Sequence, residues 1–189
     1  MLEKIPRVVG EALSGLKAGA EKAAFHEAFP DVPASLTLSS PAFADGATMP
    51  ARFTADGEGV SPPLAWSGLP PETASVVLLV EDAGSPTPHP LVHLIVWNLT
   101  ADRTGLVEGA VSRPASDADV PLGQNSFLQT AWLPPDPPNG HGQHAYLFQI
   151  YALRQTLDLA ENPGRGALLS AMHGLVAAKG LLVGLYARG

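Results

Sequence analysis

The stretch WLPPDPPNGHGQHAYLFQIYAL, residues 132–153, says most about the fold of this 189-residue chain. It joins a loop rich in proline and glycine to an apolar run that begins at His144. A run of this length, bounded by turn-forming residues, is typical of a buried β-strand. An upstream stretch, EDAGSPTPHPLVHLIVWNL at residues 81–99, repeats the arrangement with His93. The two stretches predict a pair of strands that each carry a histidine beside a rigid loop.

The rest of the chain from residue 34 to about residue 155 has the same texture of short apolar runs separated by proline and glycine. Strands are predicted at residues 76–80, 92–99 and 145–153, with weaker candidates at 36–38 and 181–186. The 19 prolines fit loops and strand edges, since a central strand needs every N–H donor. We therefore predict a mainly β fold, a two-sheet antiparallel β-sandwich with peripheral helices.

The N-terminal part, residues 2–29, has apolar residues at three- and four-residue steps, which predicts one amphipathic helix ended by Pro30 and Pro33. We divide the chain into a helical extension, residues 1–33, and a β-sandwich domain, residues 34–189. The helix could pack on the domain, pack on a partner subunit, or lie on a membrane surface. Packing is favoured because acidic residues offset the basic ones. The predicted apolar stripe is Ile5, Val8, Val9, Ala12, Leu13, Leu16, Ala20, Ala23 and Ala24.

A second peripheral helix is predicted near the C-terminus. Asn162 is expected as its cap, Pro163 as its first residue, and Gly180 as its approximate end. Its buried stripe would contain Leu168, Leu169, Met172, Leu175 and Val176.

The amino-acid composition argues against several classes of function. The net charge of −7 and the pI of about 5.2 argue against a broad nucleic-acid-binding face, which needs clustered lysine and arginine. Without cysteine there are no disulfides, thiolate metal sites or cysteine nucleophiles. The chain lacks a membrane-length apolar run and an uninterrupted apolar signal region near its start. We expect a cytoplasmic protein without stable membrane insertion.

The two histidine strands also predict a pocket. Alternate residues of a strand share a face, so His144, Tyr146, Phe148 and Ile150 are expected together, as are His93, Ile95, Trp97 and Leu99. Histidine and tyrosine at strand ends can donate hydrogen bonds to an anion. Asp82, which precedes the strand that carries His93, could fix a histidine tautomer or bind a cationic group.

These motifs resemble those of the phosphatidylethanolamine-binding protein family, in particular its bacterial Raf kinase inhibitor-like branch. The family's DPDAP-type loop corresponds to residues 82–86, and its GPxPPxGxGxHRY element to residues 134–146. Residues 61–70 (SPPLAWSGLP) and 184–188 (GLYAR) look like two further family segments. The resemblance spans roughly residues 35–188 and implies a β-sandwich that binds a small anion or a phospholipid headgroup. The implied ligand-binding residues are Asp82, Pro86, His93, Pro137, Pro138, His144 and Tyr146.

The resemblance also implies regulation of a protein kinase or protease, and a homodimer. Four positions depart from the family pattern: Gly84 replaces an acid, Leu94 a tryptophan, Pro134 a glycine, and Ala145 an arginine. A pocket without that carboxylate and guanidinium should be less charged.

Other interpretations stay open. His93 and His144 could be structural, hydrogen-bonded core histidines. A metal site is disfavoured, because a strand and a glycine-rich turn are not expected to bring His141 and His144 together. Asp136 could add charge to the pocket rim, but a solvated surface residue is favoured. No cofactor is predicted. The alternative function is a hydrolase that uses the Asp82 and histidine pocket, but Ser85 has no nucleophile motif around it.

Overall fold

A computed structural model describes residues 6–117 and 119–188, and it confirms the mainly β, two-sheet fold. In this part of the chain the strands are β1 (Thr37–Ser39), β2 (Ala47–Thr48), β3 (Leu64–Ser67), β4 (Ser75–Asp82), β5 (Leu91–Thr100), β6 (Gly105–Leu106), β7 (His144–Leu153) and β8 (Val176–Tyr186). The helices are α1 (Arg7–Leu13), α2 (Ala24–Glu27) and α3 (Arg165–Met172). Two short 3₁₀ turns lie at Ala20–Lys22 and Ala51–Phe53.

The larger sheet has the strand order β2-β8-β7-β4-β5, and the smaller sheet has the order β1-β3-β6. Pairing is antiparallel, as predicted, except between β2 and β8, which run parallel over two residues at the edge of the larger sheet. β4 lies between β5 and β7 and is buried along its whole length, as its unbroken apolar run SVVLLV requires.

The two faces of the larger sheet bury different layers. One face packs against the smaller sheet through Val76, Leu78 and Val80 of β4, which share a cluster with Trp66 of β3. The opposite face, with Val77 and Leu79, is covered by the N-terminal segment and α3; this layer contains Ala24, Phe29, Leu168 and Met172. The alternation along β4 therefore places its last residue, Asp82, toward the smaller sheet. No helix of the described residues is long and apolar enough to cross a membrane.

Two irregularities in β5 alter the predicted face of that strand. The pairing with β4 shifts register between Val80 and Glu81, opposite His93, and again between Val76 and Leu78, opposite Asn98. Each shift inserts one residue and reverses the side-chain alternation. The prediction that His93, Ile95, Trp97 and Leu99 share one face is thus wrong: Ile95 and Trp97 pack in the α3 layer, and Leu99 packs toward the smaller sheet.

The N-terminal stretch is interrupted, whereas one continuous helix is predicted. α1 ends at Leu13, Gly19 has a φ of 95°, and α2 is a single turn. A positive φ is incompatible with helix and is readily adopted by glycine. Val8, Val9 and Leu16 of the predicted stripe are exposed, while Ala23 and Ala24 are buried. Ile5 lies outside the described residues.

The C-terminal helix is also shorter than predicted. α3 begins at Arg165 after Gly164, and Asn162 has a φ of 55° and makes no cap. β8 starts at Val176 and runs through Gly180, because these residues pair along the whole of β7. Tertiary pairing overrides the helical spacing of the apolar residues here.

Candidate functional site

Asp82 ends β4 beneath the loop that leads to β5. Its side chain is buried, and its Oδ1 accepts a hydrogen bond from the backbone N–H of Gly84 at 2.8 Å. The β4–β7 register sets Asp82 opposite Tyr146, two residues into the histidine strand. The carboxylate is therefore held in place by both its own loop and the neighbouring strand.

His144 begins β7 and binds the Asp82 carboxylate. Its Nδ1 lies 2.8 Å from Oδ2 and 3.1 Å from Oδ1, and both side chains are almost completely buried. An ionised carboxylate only accepts hydrogen bonds, so Nδ1 of His144 is the donor. Asp82 thereby fixes the orientation of the imidazole.

His93 lies at the first irregularity of β5 and turns toward the same carboxylate. Its Nδ1 donates to the Leu133 carbonyl at 2.7 Å, since a carbonyl only accepts. Its Nε2 is 4.0 Å from Oδ2 of Asp82 and has no hydrogen-bond partner among the described residues. Burial lowers the pKa of His93 below its usual range, against the opposing effect of Asp82. At neutral pH this histidine presents an unprotonated nitrogen.

Tyr146 is the phenol of the predicted site and lies behind the two histidines. Its ring meets the His93 ring edge to face, with centroids 5.1 Å apart, and lies nearly parallel to the His144 ring. Its hydroxyl is buried without a hydrogen-bond partner in the described part of the chain. Burial, together with the Asp82 charge, raises the pKa of Tyr146 far above its usual range. The phenol therefore stays protonated at any physiological pH.

A cavity of about 190 Å³ opens above these side chains. Five of the predicted residues line it: Asp82, Pro86, His93, Pro137 and His144. Pro138 and Tyr146 are buried outside the lining. The remaining wall is largely apolar and is formed by Ala55, Ser85, Leu91, Phe127, Gln129, Leu133, Pro134 and Asp136. The pocket thus has a polar floor and apolar sides, an arrangement common to small-molecule sites.

The wall formed by residues 134–138 is tied to the end of β8. Arg188 donates to Asp136 and to the Pro137 carbonyl, and it also binds both carboxylate oxygens of Asp56. This guanidinium lowers the pKa of the Asp56 carboxyl. The prediction that Asp136 is a solvated surface residue is wrong, because Arg188 binds its carboxylate and the side chain is largely buried. Arg188 lies 52 residues away in sequence, so the pairing could not be predicted.

His141 joins the site although it was not among the predicted ligand-binding residues. Its Nδ1 is 2.8 Å from Nε2 of His144, and its Nε2 is 3.1 Å from the Leu16 carbonyl oxygen. The expectation that His141 and His144 do not converge is wrong. Gly140 and Gly142 have φ values of 77° and 95°, which reverse the chain and fold His141 back over His144. A histidine between two glycines, just before a strand histidine, was the available signal.

Gly84 explains one departure from the family pattern. A Cβ on this residue would lie 2.7 Å from Cα and Cγ of His144, closer than real side chains approach. The loop can therefore pass directly against His144 only with glycine at this position. The space that a carboxylate would occupy is filled by the histidine itself.

Ser85, the nearest serine to the histidines in sequence, is not positioned as a nucleophile. Its hydroxyl is bonded to the Asp82 backbone carbonyl at 3.0 Å and to the Thr87 hydroxyl at 2.7 Å. Activation of a serine requires a hydrogen bond to a base such as histidine. Ser85 helps to shape the loop instead.

The fold and the pocket define a β-sandwich protein whose buried acid and histidines form the floor of a small cavity. The phosphatidylethanolamine-binding protein family model matches residues 39–187. The chain belongs to this family, as its motifs predicted.

Two related proteins match most of this chain in sequence. A UPF0098 protein of Methanothermobacter thermautotrophicus is 36% identical over 154 residues, which cover 82% of this chain and 100% of that protein. One of Pyrococcus horikoshii is 37% identical over 156 residues, covering 82% of this chain and 77% of that protein.

Solved structures agree in fold. The crystal structure of a phosphatidylethanolamine-binding protein homolog from Chlamydia trachomatis has a TM-score of 0.75 at 33% identity, covering 82% of this chain and 99% of that one. Escherichia coli YbcL, described as a member of the mammalian family, also has a TM-score of 0.75, at 23% identity, covering 82% and 100%. The second likeness bears on the fold alone.

Proposed function

We propose that this protein binds a small oxyanion, such as a phosphate or a phosphorylated headgroup, in the cavity above Asp82, without turning it over. The observation that carries the proposal is the unpartnered Nε2 of His93 at the cavity floor. A buried polar atom without a partner costs free energy, which a ligand able to hydrogen bond with it would recover.

The charge of the floor is compatible with an anion. The Asp82 carboxylate accepts hydrogen bonds from His144 and from the Gly84 N–H, both at 2.8 Å, so its charge is stabilised within the floor. The apolar wall, including Leu91, Phe127 and Leu133, lowers the local dielectric and strengthens polar contacts. Prolines 86 and 137 restrict the rim, so little backbone entropy is lost on binding.

Anion binding in this pocket should be linked to proton uptake. His93 is neutral before binding and its Nδ1 proton is committed to Leu133. To donate from Nε2 to an anion, the ring must take up a second proton. Affinity for an anion that carries no proton should therefore rise as the pH falls.

Sulfate is the sharpest probe because it does not titrate near neutral pH. Calorimetric titration between pH 8 and pH 6 should give an affinity that rises by up to about tenfold per pH unit, as linkage to one proton requires. Phosphate should show a weaker dependence, since it brings a proton of its own. Histidine NMR in the same titration should show His93 becoming doubly protonated on binding.

Two variants make this test specific. His93→Gln removes the group that takes up the proton on binding, so any remaining sulfate affinity should depend much less on pH. His173→Gln changes an exposed histidine outside the cavity and should leave the sulfate titration unchanged. Failure of sulfate and phosphate to perturb His93 at tens of millimolar would refute the proposal.

We also propose a cytoplasmic location, which cell fractionation would test. The predicted kinase or protease partner and the predicted homodimer stay predictions. The exposed Val8, Val9 and Leu16 near α1 are where self-association would be sought. Sedimentation of Val8→Glu against the unaltered chain would test that surface.

A further inference from the structure

The N-terminal segment, residues 6–19, crosses both loops of the site. The backbone N–H of Ala18 donates to the Ser85 carbonyl at 2.8 Å, and that of Gly19 donates to the Ala83 carbonyl at 3.0 Å. On the other loop, the Lys17 ammonium donates to the Gln143 carbonyl. Gly10 of α1 packs so closely on residue 139 that an added Cβ would collide with the Asn139 carbonyl oxygen.

The same segment ends a continuous hydrogen-bonded chain that starts at the pocket floor. The chain runs from the Asp82 carboxylate to His144 at 2.8 Å, from His144 to His141 at 2.8 Å, and from His141 to the Leu16 carbonyl at 3.1 Å. Both imidazoles are almost completely buried. The chain therefore links the segment to the ligand cavity through two titratable rings.

A count of protons decides the net charge of this hydrogen-bonded chain from Asp82 to Leu16. Each of its three hydrogen bonds contains one proton, and its two ends, a carboxylate and a carbonyl, are acceptors. Two neutral imidazoles supply only two protons. With all three bonds formed, a third proton must be present and the chain from Asp82 to Leu16 has no net charge.

We infer that His141 is a positioning residue and that the N-terminal segment completes the site: the Leu16 carbonyl orients His141 so that His144 is held as an imidazolium beside Asp82. His141 donates from Nε2 to Leu16 and accepts at Nδ1 from His144, which donates from both nitrogens. When the segment is displaced, His141 can adopt the other tautomer, His144 becomes neutral, and the floor gains one negative charge.

The surroundings of the two rings are consistent with this assignment. His141 faces the Lys17 ammonium, the Leu13 and Leu16 carbonyls, and His144; burial and the His144 charge lower its pKa, so it remains the neutral ring. Arg7 and Glu11 pair with each other over Gly140. His144 faces Asp82, neutral His93 and the protonated Tyr146. Among the described residues, the charge of opposite sign next to His144 is thus the carboxylate that it binds.

Nitrogen-15 NMR of the histidine side chains, without any ligand, tests the inference. In the unaltered protein at pH 7.5, His144 should have the signature of two protonated nitrogens. His141→Phe keeps a ring in place but removes both nitrogens. It should leave His144 with one protonated nitrogen at pH 7.5, because the acceptor of its Nε2 proton is gone.

Two glycine variants distinguish the effect of the N-terminal segment from the effect of the His141 ring. Gly10→Ala should lift α1 from residue 139 and give a singly protonated His144 at pH 7.5 while His141 is intact. Gly15→Ala is the matched control, because a Cβ there meets nothing within 4 Å. A singly protonated His144 at pH 7.5 in the unaltered protein, or a doubly protonated His144 that persists in both His141→Phe and Gly10→Ala, would overturn the inference.

A second measurement connects the segment to binding, and this part alone rests on the proposed function. Sulfate affinity at pH 7.5 should fall several-fold in Gly10→Ala and not in Gly15→Ala. Equal sulfate affinity in both would overturn the coupling. If sulfate does not bind the unaltered protein, the proposed function fails, whereas the ligand-free NMR result still decides the role of His141.

Discussion

Glu81 and Asp82 are neighbours on β4, but they point to opposite faces of the sheet and enter two different buried clusters. Glu81 accepts hydrogen bonds from Arg165 at 2.6 Å and from Ala24 and Gln149 at 2.8 Å. Gln149 in turn accepts from the Tyr151 hydroxyl and the Phe25 N–H. Within the described residues, every buried side-chain nitrogen and oxygen of this Glu81 cluster has a hydrogen-bond partner.

The Asp82 cluster differs in that it leaves His93 Nε2 and the Tyr146 hydroxyl unpartnered within the described chain, and it borders a cavity. A closed network stabilises a fold, whereas an open one beside a cavity retains hydrogen-bonding capacity for a ligand. Burial of a carboxylate therefore says little about its role. What matters is whether its partners use up the available hydrogen bonds.

Breaking the Glu81 cluster should have the largest effect on stability. Arg165→Met removes the basic side chain that pairs with a completely buried carboxylate and should lower the free energy of unfolding by about 3–5 kcal/mol. Arg154→Met, at an exposed arginine, is the control. Denaturant titration measures both. A loss below about 1 kcal/mol in Arg165→Met would contradict a structural role, and sulfate affinity of the folded variant should be unchanged.

Crowding the Asp82 cluster should have a smaller effect on stability and a clear effect on binding. Gly84→Ala places a methyl group against His144, and overpacking of this kind costs about 1–3 kcal/mol. His144 should move and sulfate binding should weaken. Gly166→Ala on α3, where a Cβ meets nothing within 4 Å, should change stability by less than about 1 kcal/mol. Unaltered sulfate binding in Gly84→Ala would exclude His144 from the floor.

Mild acid should destabilise the pocket side of the sheet. The pKa values of His93 and His141 are lowered in the folded protein, chiefly by burial. Their neutral forms therefore add stability that is present above the unfolded value of about 6.5 and is lost as the pH falls below it, by at most about 1.4 kcal/mol per pH unit for each histidine. Denaturant titrations at pH 7.5 and 5.5 measure this slope. His93→Gln should reduce it, and an unchanged slope would refute this assignment.

The two buried tyrosines give the finest contrast. Tyr151→Phe removes a hydroxyl that donates to Gln149 at 2.6 Å and should cost about 1 kcal/mol. Tyr146→Phe removes a hydroxyl without a partner in the described chain and should leave stability unchanged or slightly higher. Thermal and denaturant unfolding of both variants measure the difference. An equal loss in the two would mean that Tyr146 has a partner in solution.

Much of the fold could be predicted from the sequence, because β4, β5 and β7 are long apolar runs bounded by turns. The short strands β2, β3 and β6, of two to four residues, have no detectable period of their own. The interrupted N-terminal segment shows where periodicity misleads. Its apolar spacing suits a helix, but backbone hydrogen bonds to residues 83 and 85 and the positive φ of Gly19 stabilise an irregular path.

The sequence predicts those residues of the candidate site that lie in a recognisable motif. It does not predict the residues that only the three-dimensional fold brings to the cavity. Asp82, His93 and His144 follow from their positions beside strands. His141 depends on two glycines with positive φ, and Asp136 depends on Arg188, which lies at the far end of the sequence. The bulges of β5 turn His93 toward the carboxylate, and one extra residue in a strand leaves no signal in hydrophobic alternation.

The double contact of Arg188 offers a handle for engineering. One guanidinium fastens the segment at Asp56 and the segment at Asp136 to the same strand end, so a change at this single position reaches the cavity wall without altering a lining residue. Arg188→Lys would exchange a planar fork for a single ammonium, which cannot hold both carboxylates in the same way. A substitution outside the lining would then move the cavity wall formed by residues 134–138 and change the size of ligand that fits.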